Sequence, residues 1–289
     1  MPIKPYDICA VIVSFNGGDT LTDTYNALVG QVAYIVIVDN GSDSESIKIL
    51  KEIELTNTAI LYNNDNHGVA FALNQGVRYA IEHHFRWVLT MDQDSIADKD
   101  MVKYLMECAQ GNRNDNAVSF SPAILLDTNN INAKHSNTIE DRYTVITSGN
   151  LLNVGVFENI GMFEEKLFID SVDFEFCLRL KKHGYRIIRC NKAILLHSLG
   201  DNNCINVCNI KHALTVHSPF RKYYIMRNHI FITLNYLCDF PAYCIWKQVA
   251  IIRLLLQIIF LEKNKIASLH YVVKGLCDGI CNKYGALRD

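Results

Sequence analysis

Asp92 and Asp94 stand one residue apart where an apolar run ends, in the stretch Trp87 to Ser95. If the backbone stays extended, alternate residues share a side of the chain. If it turns, two such carboxylates still reach one ion. Hard divalent cations take carboxylate oxygens, and Mg²⁺ commonly binds through one or two carboxylates together with substrate phosphates. The pair therefore points to a metal–diphosphate site at the end of a strand, with Mg²⁺ or Mn²⁺ as the ion. Asp-X-Asp also describes a plain polar turn after a buried strand, so the surrounding chain has to decide.

Other groups with chemical potential recur along the sequence. Asp39 follows a second apolar run and is suited to accept a hydrogen bond from a pyrimidine ring N–H, leaving the wrong donor–acceptor pattern unpaired. Asp170, Asp173 and Glu175 supply three carboxylates at a helix start, where they do not all face the same way. One can act as a base toward an acceptor hydroxyl while another orients substrate or caps the helix, and spacing does not rank them. His197 follows an apolar strand and reads either as a third metal ligand or as a structural histidine.

The elements that must position these groups are legible from hydrophobic patterning. Apolar runs at 8–14, 34–38, 59–62 and 87–91 have strand length, and helix-like segments lie at about 19–29, 43–54, 68–84 and 98–110. Continuous apolar strands alternating with helices predict a parallel sheet covered on both faces. Ligands in such sheets bind beyond the carboxyl ends of the strands. Here those ends are polar four times: Ser14 to Gly18, Asp39 to Ser42, Asn63 to Gly68, and the two aspartates. Asp43 and Asp98 sit where helix caps are expected. From residue 116 the pattern loosens, with strands expected at 118–126, 143–147, 185–189 and 193–196, a loop at 129–137 and a helix at 173–183.

The formal net charge of −2 over 289 residues argues against broad nucleic-acid binding. Ten scattered cysteines without a signal-like N-terminus predict free or locally packed thiols in a reducing compartment, and the Cys204/Cys208 and Cys277/Cys281 pairs lack a zinc ligand set. Residues 219–261 combine apolar bulk with Tyr, Trp, Lys and Arg, interrupted by Asp239, Pro241, Lys247, Gln248 and Arg253. No uninterrupted stretch reaches the roughly 18 apolar residues of a membrane span. An interfacial helix pair is expected, with internal packing or a homo-oligomer face as alternatives.

Together these motifs resemble the family 2 glycosyltransferases, specifically their bacterial rhamnosyltransferase-like branch. The resemblance rests on residues 11–16, 38–42, 64–76 and 91–95, then 147–150, 161–163, 168–175, Arg179, 196–200, and Arg221 to Tyr224 with Arg227 and Asn228. It covers roughly residues 8–230 and implies a GT-A fold: an α/β molecule with a Rossmann-like, mostly parallel central sheet, flanking helices and a C-terminal helical extension. The implied organisation is a donor-binding half at 1–115, an acceptor-binding and catalytic half at 116–218, and a helical, membrane-associating region at 219–289.

The same resemblance implies inversion at the anomeric carbon. It implies donor contacts at Ser14, Asn16, Asp39, Asn66, Gly68, Asn74 and Asp92. A metal would be held by Asp94 most directly, with Asp92 and His197. Asp173 would be the base, with acceptor contacts at Ser148, Gly149, Asp170, Glu175 and Phe176. The branch often has tryptophan where this chain has Phe176, so the indole N–H is missing. The implied donor is dTDP-L-rhamnose. The implied acceptor is a sugar on a polyprenyl diphosphate lipid, in O-antigen or capsule assembly at the inner face of the cell membrane. Against the rivals, no Gly-X-Gly-X-X-Gly follows the first strand as a nicotinamide dehydrogenase requires. A sugar nucleotidyltransferase would want a basic, glycine-rich loop there, and a non-catalytic carbohydrate-binding module would have lost the aspartates. A family 2 transferase using another nucleotide sugar remains the nearest alternative.

Overall fold

The computed structural model describes residues 4–53, 57–112, 115–125, 136–197, 202–207, 210–215 and 217–287. The expected 129–137 loop falls largely outside them, as do Ser198 to Gly200 and the Cys208 end of the Cys204 pair. The chain divides into two compact units, Met1–Glu165 with Val172–Ser198, and Lys166–Ser171 with Leu199–Asp289.

The first unit opens with β1 (Ile8–Ser14), α1 (Gly18–Leu28), β2 (Tyr34–Asp39), α2 (Ser44–Ile53), β3 (Thr58–Tyr62), α3 (Val69–Glu82) and β4 (Trp87–Asp92). The four strands pair in parallel, in the order β3-β2-β1-β4. The apolar side chains of β1, β2 and β4 are buried almost throughout, as expected for strands covered on both faces, while those of the edge strand β3 are half-buried or exposed. Register carries the functional consequence: Ser14 lies opposite Asp39, Asp39 opposite Tyr62, and Val13 opposite Asp92. The polar ends of neighbouring strands therefore finish at nearly one level. Asp43 caps α2 as its position implied, its carboxylate accepting the Ser46 N–H at 2.9 Å, and those hydrogen bonds hold its pKa below the usual carboxylate value.

The unit continues with β5 (Ser95–Ala97), α4 (Met101–Gly111), β6 (Ala117–Leu125), β7 (Ile139–Asp141), β8 (Asn150–Asn153), α5 (Val156–Ile160), α6 (Val172–Lys182) and β9 (Arg186–His197). β8 runs antiparallel between β4 and β6, and the sheet extends through β9 to β5, with β7 also on β9. Three expectations change here. The strand at 143–147 does not form, because the chain instead turns toward β4: the Gly149 N–H meets the Thr90 carbonyl at 2.8 Å. The two strands at 185–196 are one, with a register shift opposite Pro122, which has no N–H to give the ladder. Asp98 does not cap α4 through its side chain; its carbonyl receives the Met101 N–H at 2.9 Å. The expectation of free thiols holds for Cys9, Cys177, Cys238, Cys244, Cys277 and Cys281 but is corrected for Cys108 on α4 and Cys190 on β9, which form a disulfide.

Gly41 shows how tightly the strand-end loops are laid together. Its φ is +85°, and an added Cβ would lie 2.6 Å from the Asp65 backbone carbon. Gly41→Ala is expected to cost about 2 kcal/mol or more, from the left-handed backbone and the collision together. Urea unfolding measures this, and an unchanged midpoint would show that the two loops part easily.

The second unit holds a hairpin, β10 (Asn202–Val207) antiparallel to β11 (Ile210–Thr215), and helices α7 (Pro219–Tyr236), α8 (Pro241–Leu261) and α9 (Lys265–Ile280). Its organising residue is Arg227, fully buried on α7, which donates to the carbonyls of Lys166, Leu167 and Gly285 at 3.1, 2.9 and 2.6 Å. Asn228 adds bonds to the carbonyls of Leu167, Ile169 and Asp170. These contacts offset the left-handed backbone at Phe168, Asp170 and Ser171. Lys222, also buried, is satisfied by Glu262 at 2.8 Å, Ser268 at 3.0 Å and the His217 carbonyl at 2.7 Å.

α8 changes the reading of the C-terminal region. Its 21 residues are long and apolar enough to cross a membrane by length and composition. Ile245, Trp246, Val249, Ile252, Leu256, Ile259 and Phe260 recur at helical spacing and are exposed. The opposite side meets a small core with Met226, Ile258 and Val272.

Candidate functional site

Asp92 closes β4, and the chain turns within two residues into β5. β5 pairs with the end of β9 so that Ser95 stands opposite His197. That pairing brings together residues about a hundred positions apart: Asp92, Asp94 and His197 each offer a ligand atom within 4.8 Å of the others. His197 Nδ1 lies 4.0 Å from Asp94 Oδ1 and 2.7 Å from the Ser95 hydroxyl. A hydroxyl on one ring nitrogen orients the imidazole as outer partners do at metal sites. Two carboxylates and an imidazole suit a divalent cation such as Mn²⁺, and the carboxylates suit Mg²⁺. The donor set therefore fits the expected ion.

Gln93, between the aspartates, played no part in the sequence reading. Its side chain grips the end of β1, accepting the Phe15 N–H at 2.7 Å and donating to the Phe15 carbonyl at 3.1 Å. Thr24 on α1 bonds the Gln93 carbonyl at 2.9 Å. The middle residue thus anchors the turn on which Asp92 and Asp94 are carried. Ser95 was likewise missed, although its place next to Asp94 was the available signal.

Asp39 is fully buried at the end of β2. Its Oδ2 accepts the Ser42 N–H at 3.2 Å, while its Oδ1 is buried with no hydrogen-bond partner among the described residues. Ser14 Oγ, opposite it in register, is in the same condition. Buried polar atoms left unsatisfied are costly, and a ligand N–H or hydroxyl arriving there would remove that cost. Asn16 is tied into the wall: its N–H donates to Ser42 Oγ and its side chain receives the Asp43 N–H. Asn66 accepts from Gly68 N–H and Asn40, and Asn40 in turn donates to the Gly68 carbonyl. This closes the 63–68 loop against the end of β2.

Ser148 stands beside the aspartates, its hydroxyl accepting the Asp92 N–H at 3.1 Å. Ser148 also lines a cavity of about 220 Å³ with Ser121, Arg142, Phe174 and Arg189. Gly149 holds a φ of +77°, and an added Cβ would come within 2.7 Å of Pro122. Asp173 precedes Phe174 in the first turn of α6, where its Oδ1 accepts the Phe174 N–H at 2.8 Å.

Four of the expected site residues make structural contacts that the sequence did not indicate. Asn74 is buried and spends its amide on Phe163 backbone groups and Glu165, so it braces α3 instead of lining the strand-end opening. Glu175 is buried and bonded twice to Arg179, at 2.7 and 3.0 Å. Phe176 stacks inward on Phe157 and Phe163 and presents no aromatic wall to solvent. Asp170 belongs to the second unit, where it receives a forked pair of bonds from Arg221 at 2.9 and 3.1 Å. The burial of all but Asp170 follows from helix packing that a motif does not display. Glu175→Ala is expected to cost about 3 kcal/mol by stranding the Arg179 charge. Thermal unfolding with donor binding checks this; loss of acceptor affinity at unchanged stability would restore a direct acceptor role.

A family model described as "Glycosyl transferase family 2" matches residues 9–168. The chain is 30% identical to dTDP-rhamnosyl transferase RfbF of Shigella flexneri over 292 residues, covering 95% of each protein. S. aureus TarS in complex with UDP-GlcNAc superposes with a TM-score of 0.60 at 15% identity, over 94% of this chain and 80% of that one. GalNAc-T7 with UDP, GalNAc and Mn²⁺ gives 0.56 at 15% identity, over 76% of this chain and 47% of that one. The fold shared with these structures is the GT-A fold.

Proposed function

Since this chain belongs to glycosyl transferase family 2, we propose that it transfers L-rhamnose from dTDP-L-rhamnose to a sugar acceptor with inversion at the anomeric carbon. The observation that carries the chemistry is the cluster of Asp92, Asp94 and His197 at the end of a parallel strand. The choice of donor is supported by likeness to a dTDP-rhamnosyl transferase along nearly the whole chain.

In this reading residues 1–115 bind the donor, 116–218 bind the acceptor and carry the base, and 219–289 meet the membrane. Asp39 Oδ1 receives the thymine ring N–H, which gives its buried oxygen a partner. Asp92 binds near the ribose and diphosphate, and Asp94 with His197 completes the ligand set for Mg²⁺ or Mn²⁺. When bound, such an ion neutralises the diphosphate and stabilises charge on the departing nucleotide. Ser148 and Gly149 border the acceptor space beside Asp92. Asp173 takes the proton from the acceptor hydroxyl as that oxygen bonds to C1; the bond from C1 to the diphosphate breaks, and dTDP leaves. Holding the reactants in line and placing the base supply the rate.

The acceptor in this reading is lipid-linked, as in O-antigen or capsule assembly, and the protein works from the inner face of the cell membrane. The exposed apolar stripe of α8 supports contact with a bilayer. Its other side packs in the helical unit, which favours lying in the interface over crossing it. A homo-oligomer built on the same stripe is the alternative that light scattering in detergent separates.

The purified protein is to be incubated with dTDP-rhamnose, UDP-GlcNAc and other nucleotide sugars, with Mg²⁺, with Mn²⁺ and with chelator. Turnover of dTDP-rhamnose above all others, lost with chelator, is the expected result. Preference for another nucleotide sugar overturns the donor assignment and leaves the family intact.

A further inference from the structure

The two ends of the candidate donor site are built on different strands. Ser14 and Asp39, with their buried, unpartnered oxygens, close β1 and β2. Asp92 closes β4, and Asp94 lies two residues beyond. One carboxamide joins these ends. Gln93, flanked by the two aspartates, places both of its polar atoms on a single residue of the β1 end: Oε1 receives the Phe15 N–H at 2.7 Å and Nε2 donates to the Phe15 carbonyl at 3.1 Å. The next residue, Asn16, holds a left-handed backbone with φ +52°. Its N–H donates to Ser42 Oγ at 2.8 Å, and its side chain receives the Asp43 N–H at 2.9 Å. Ser42 in turn donates its N–H to Asp39 Oδ2 at 3.2 Å. Hydrogen bonds and the covalent chain alone thus lead from the ion-holding turn to the carboxylate assigned to the base.

The surroundings of Gln93 keep this path tight. Thr24, fully buried on α1, donates its hydroxyl to the Gln93 carbonyl at 2.9 Å. Gly17 packs directly on the carboxamide: a Cβ there would lie 2.9 Å from Gln93 Oε1 and 3.0 Å from Ser14 Oγ. Its φ of −72° suits any residue, so glycine serves here for space. The clamp on the ion side and the unpartnered hydroxyl on the base side therefore rest against the same glycine. A cation drawing Asp92 and Asp94 together restrains Gln93 between them. A base on Asp39 and Ser14 restrains the far end of the same path. Whichever ligand binds second meets a path already partly ordered and loses less conformational entropy.

We propose that Gln93 is a positioning residue that couples the two ends, so that a divalent cation at Asp92 and Asp94 tightens the hold on a pyrimidine nucleoside at Asp39, and the nucleoside tightens the hold on the cation. The proposal deepens the reading of a nucleotide-sugar donor bound with a cation, and rests on it. Its consequence is selectivity for the whole donor. A diphosphate on a base that Asp39 accepts engages both ends and gains the coupling; a diphosphate on a base that Asp39 rejects engages only one.

The test uses thymidine, which has no phosphate to reach the ion. Thymidine binding is measured by calorimetry with and without Mn²⁺, and Mn²⁺ binding by the paramagnetic resonance of the free ion with and without thymidine. Mn²⁺ is expected to tighten thymidine binding about fivefold, at the low end of ordinary coupling between sites, and thymidine to tighten Mn²⁺ binding by the same factor. Gln93→Met keeps the length of the side chain and loses both bonds to Phe15. It should abolish the mutual effect while each ligand still binds alone, and should speed hydrogen exchange at the Phe15 amide without any ligand. Gly17→Ala, which displaces the carboxamide and leaves Gln93 in place, should diminish the mutual effect as well. A purely structural role for Gln93 would instead weaken each ligand and leave their effect on one another intact. Binding of both ligands without mutual effect in the wild type, or an undiminished effect in Gln93→Met, overturns the coupling and leaves the donor site standing. Failure of the wild type to bind Mn²⁺ or thymidine at all overturns the site reading and the coupling with it.

Discussion

Asp173→Asn is expected to lower sugar transfer by about a thousandfold, within the range that a positioned general base contributes, while dTDP-sugar binding stays near that of the wild type. The substitution is nearly isosteric and keeps the oxygen that accepts the Phe174 N–H at 2.8 Å, so the first turn of α6 should persist. What it removes is the capacity to hold a proton. Donor binding by calorimetry and transfer by product analysis separate the two effects. Transfer within a few-fold of the wild type would falsify the base assignment and return the role to Asp170 or an unassigned group. Glu175 is the weaker rival on physical grounds, since its two bonds to Arg179 already engage both its oxygens.

Asp94→Ala is expected to abolish the part of donor affinity that a divalent cation supplies, a loss of at least about tenfold, because outer partners alone are commonly worth 10–100-fold at metal sites. Ser95→Ala should produce a smaller loss of the same kind, since its hydroxyl orients His197 from 2.7 Å without being a ligand. The measurement is nucleotide-sugar binding with Mn²⁺ and with chelator. Affinity that does not respond to Mn²⁺ in the wild type, or responds equally in Asp94→Ala, removes the metal from this site. The graded order, ligand before orienting residue, distinguishes ion binding from a general weakening of the β4–β5 turn.

The architecture of the first half was open to inference because local rules govern it. Continuous apolar strands and intervening amphipathic helices placed β1 to β4 within a residue or so, and parallel pairing carries their polar ends to nearly one level. The stretch from residue 116 onward was harder. Residues 143–147 have strand-like composition but join no strand; Val145 bonds the Cys177 thiol on α6, and the Thr147 carbonyl receives the Thr90 hydroxyl. Phe176, Glu175 and Asn74 sit in or beside motif segments yet face inward, because their helices turn them toward Phe157 and Phe163, Arg179, and the Phe163 backbone. A motif records residue types in order; which side of a helix meets the core depends on partners far away in the chain.

The amino-acid sequence by itself determined the order of strands and helices in the first half, the polar character of each strand end, and the family. It also singled out Asp39, Asp92, Asp94 and His197 as groups worth placing, beside the unranked carboxylates Asp170, Asp173 and Glu175, among which only the family resemblance points to Asp173. Those are consequences of local periodicity and residue chemistry, which act over a few neighbouring positions. Only the tertiary structure decided that β5 turns back to pair with β9 and so brings His197 to Asp94. Only it showed that Gln93 clamps the intervening turn to β1, that Asp39 Oδ1 is buried with no hydrogen-bond partner among the described residues, and that α7 and α8 line a cavity. Each of these joins residues through sheet register or helix docking, and such long-range pairings arise from burial of the whole surface and not from any single segment.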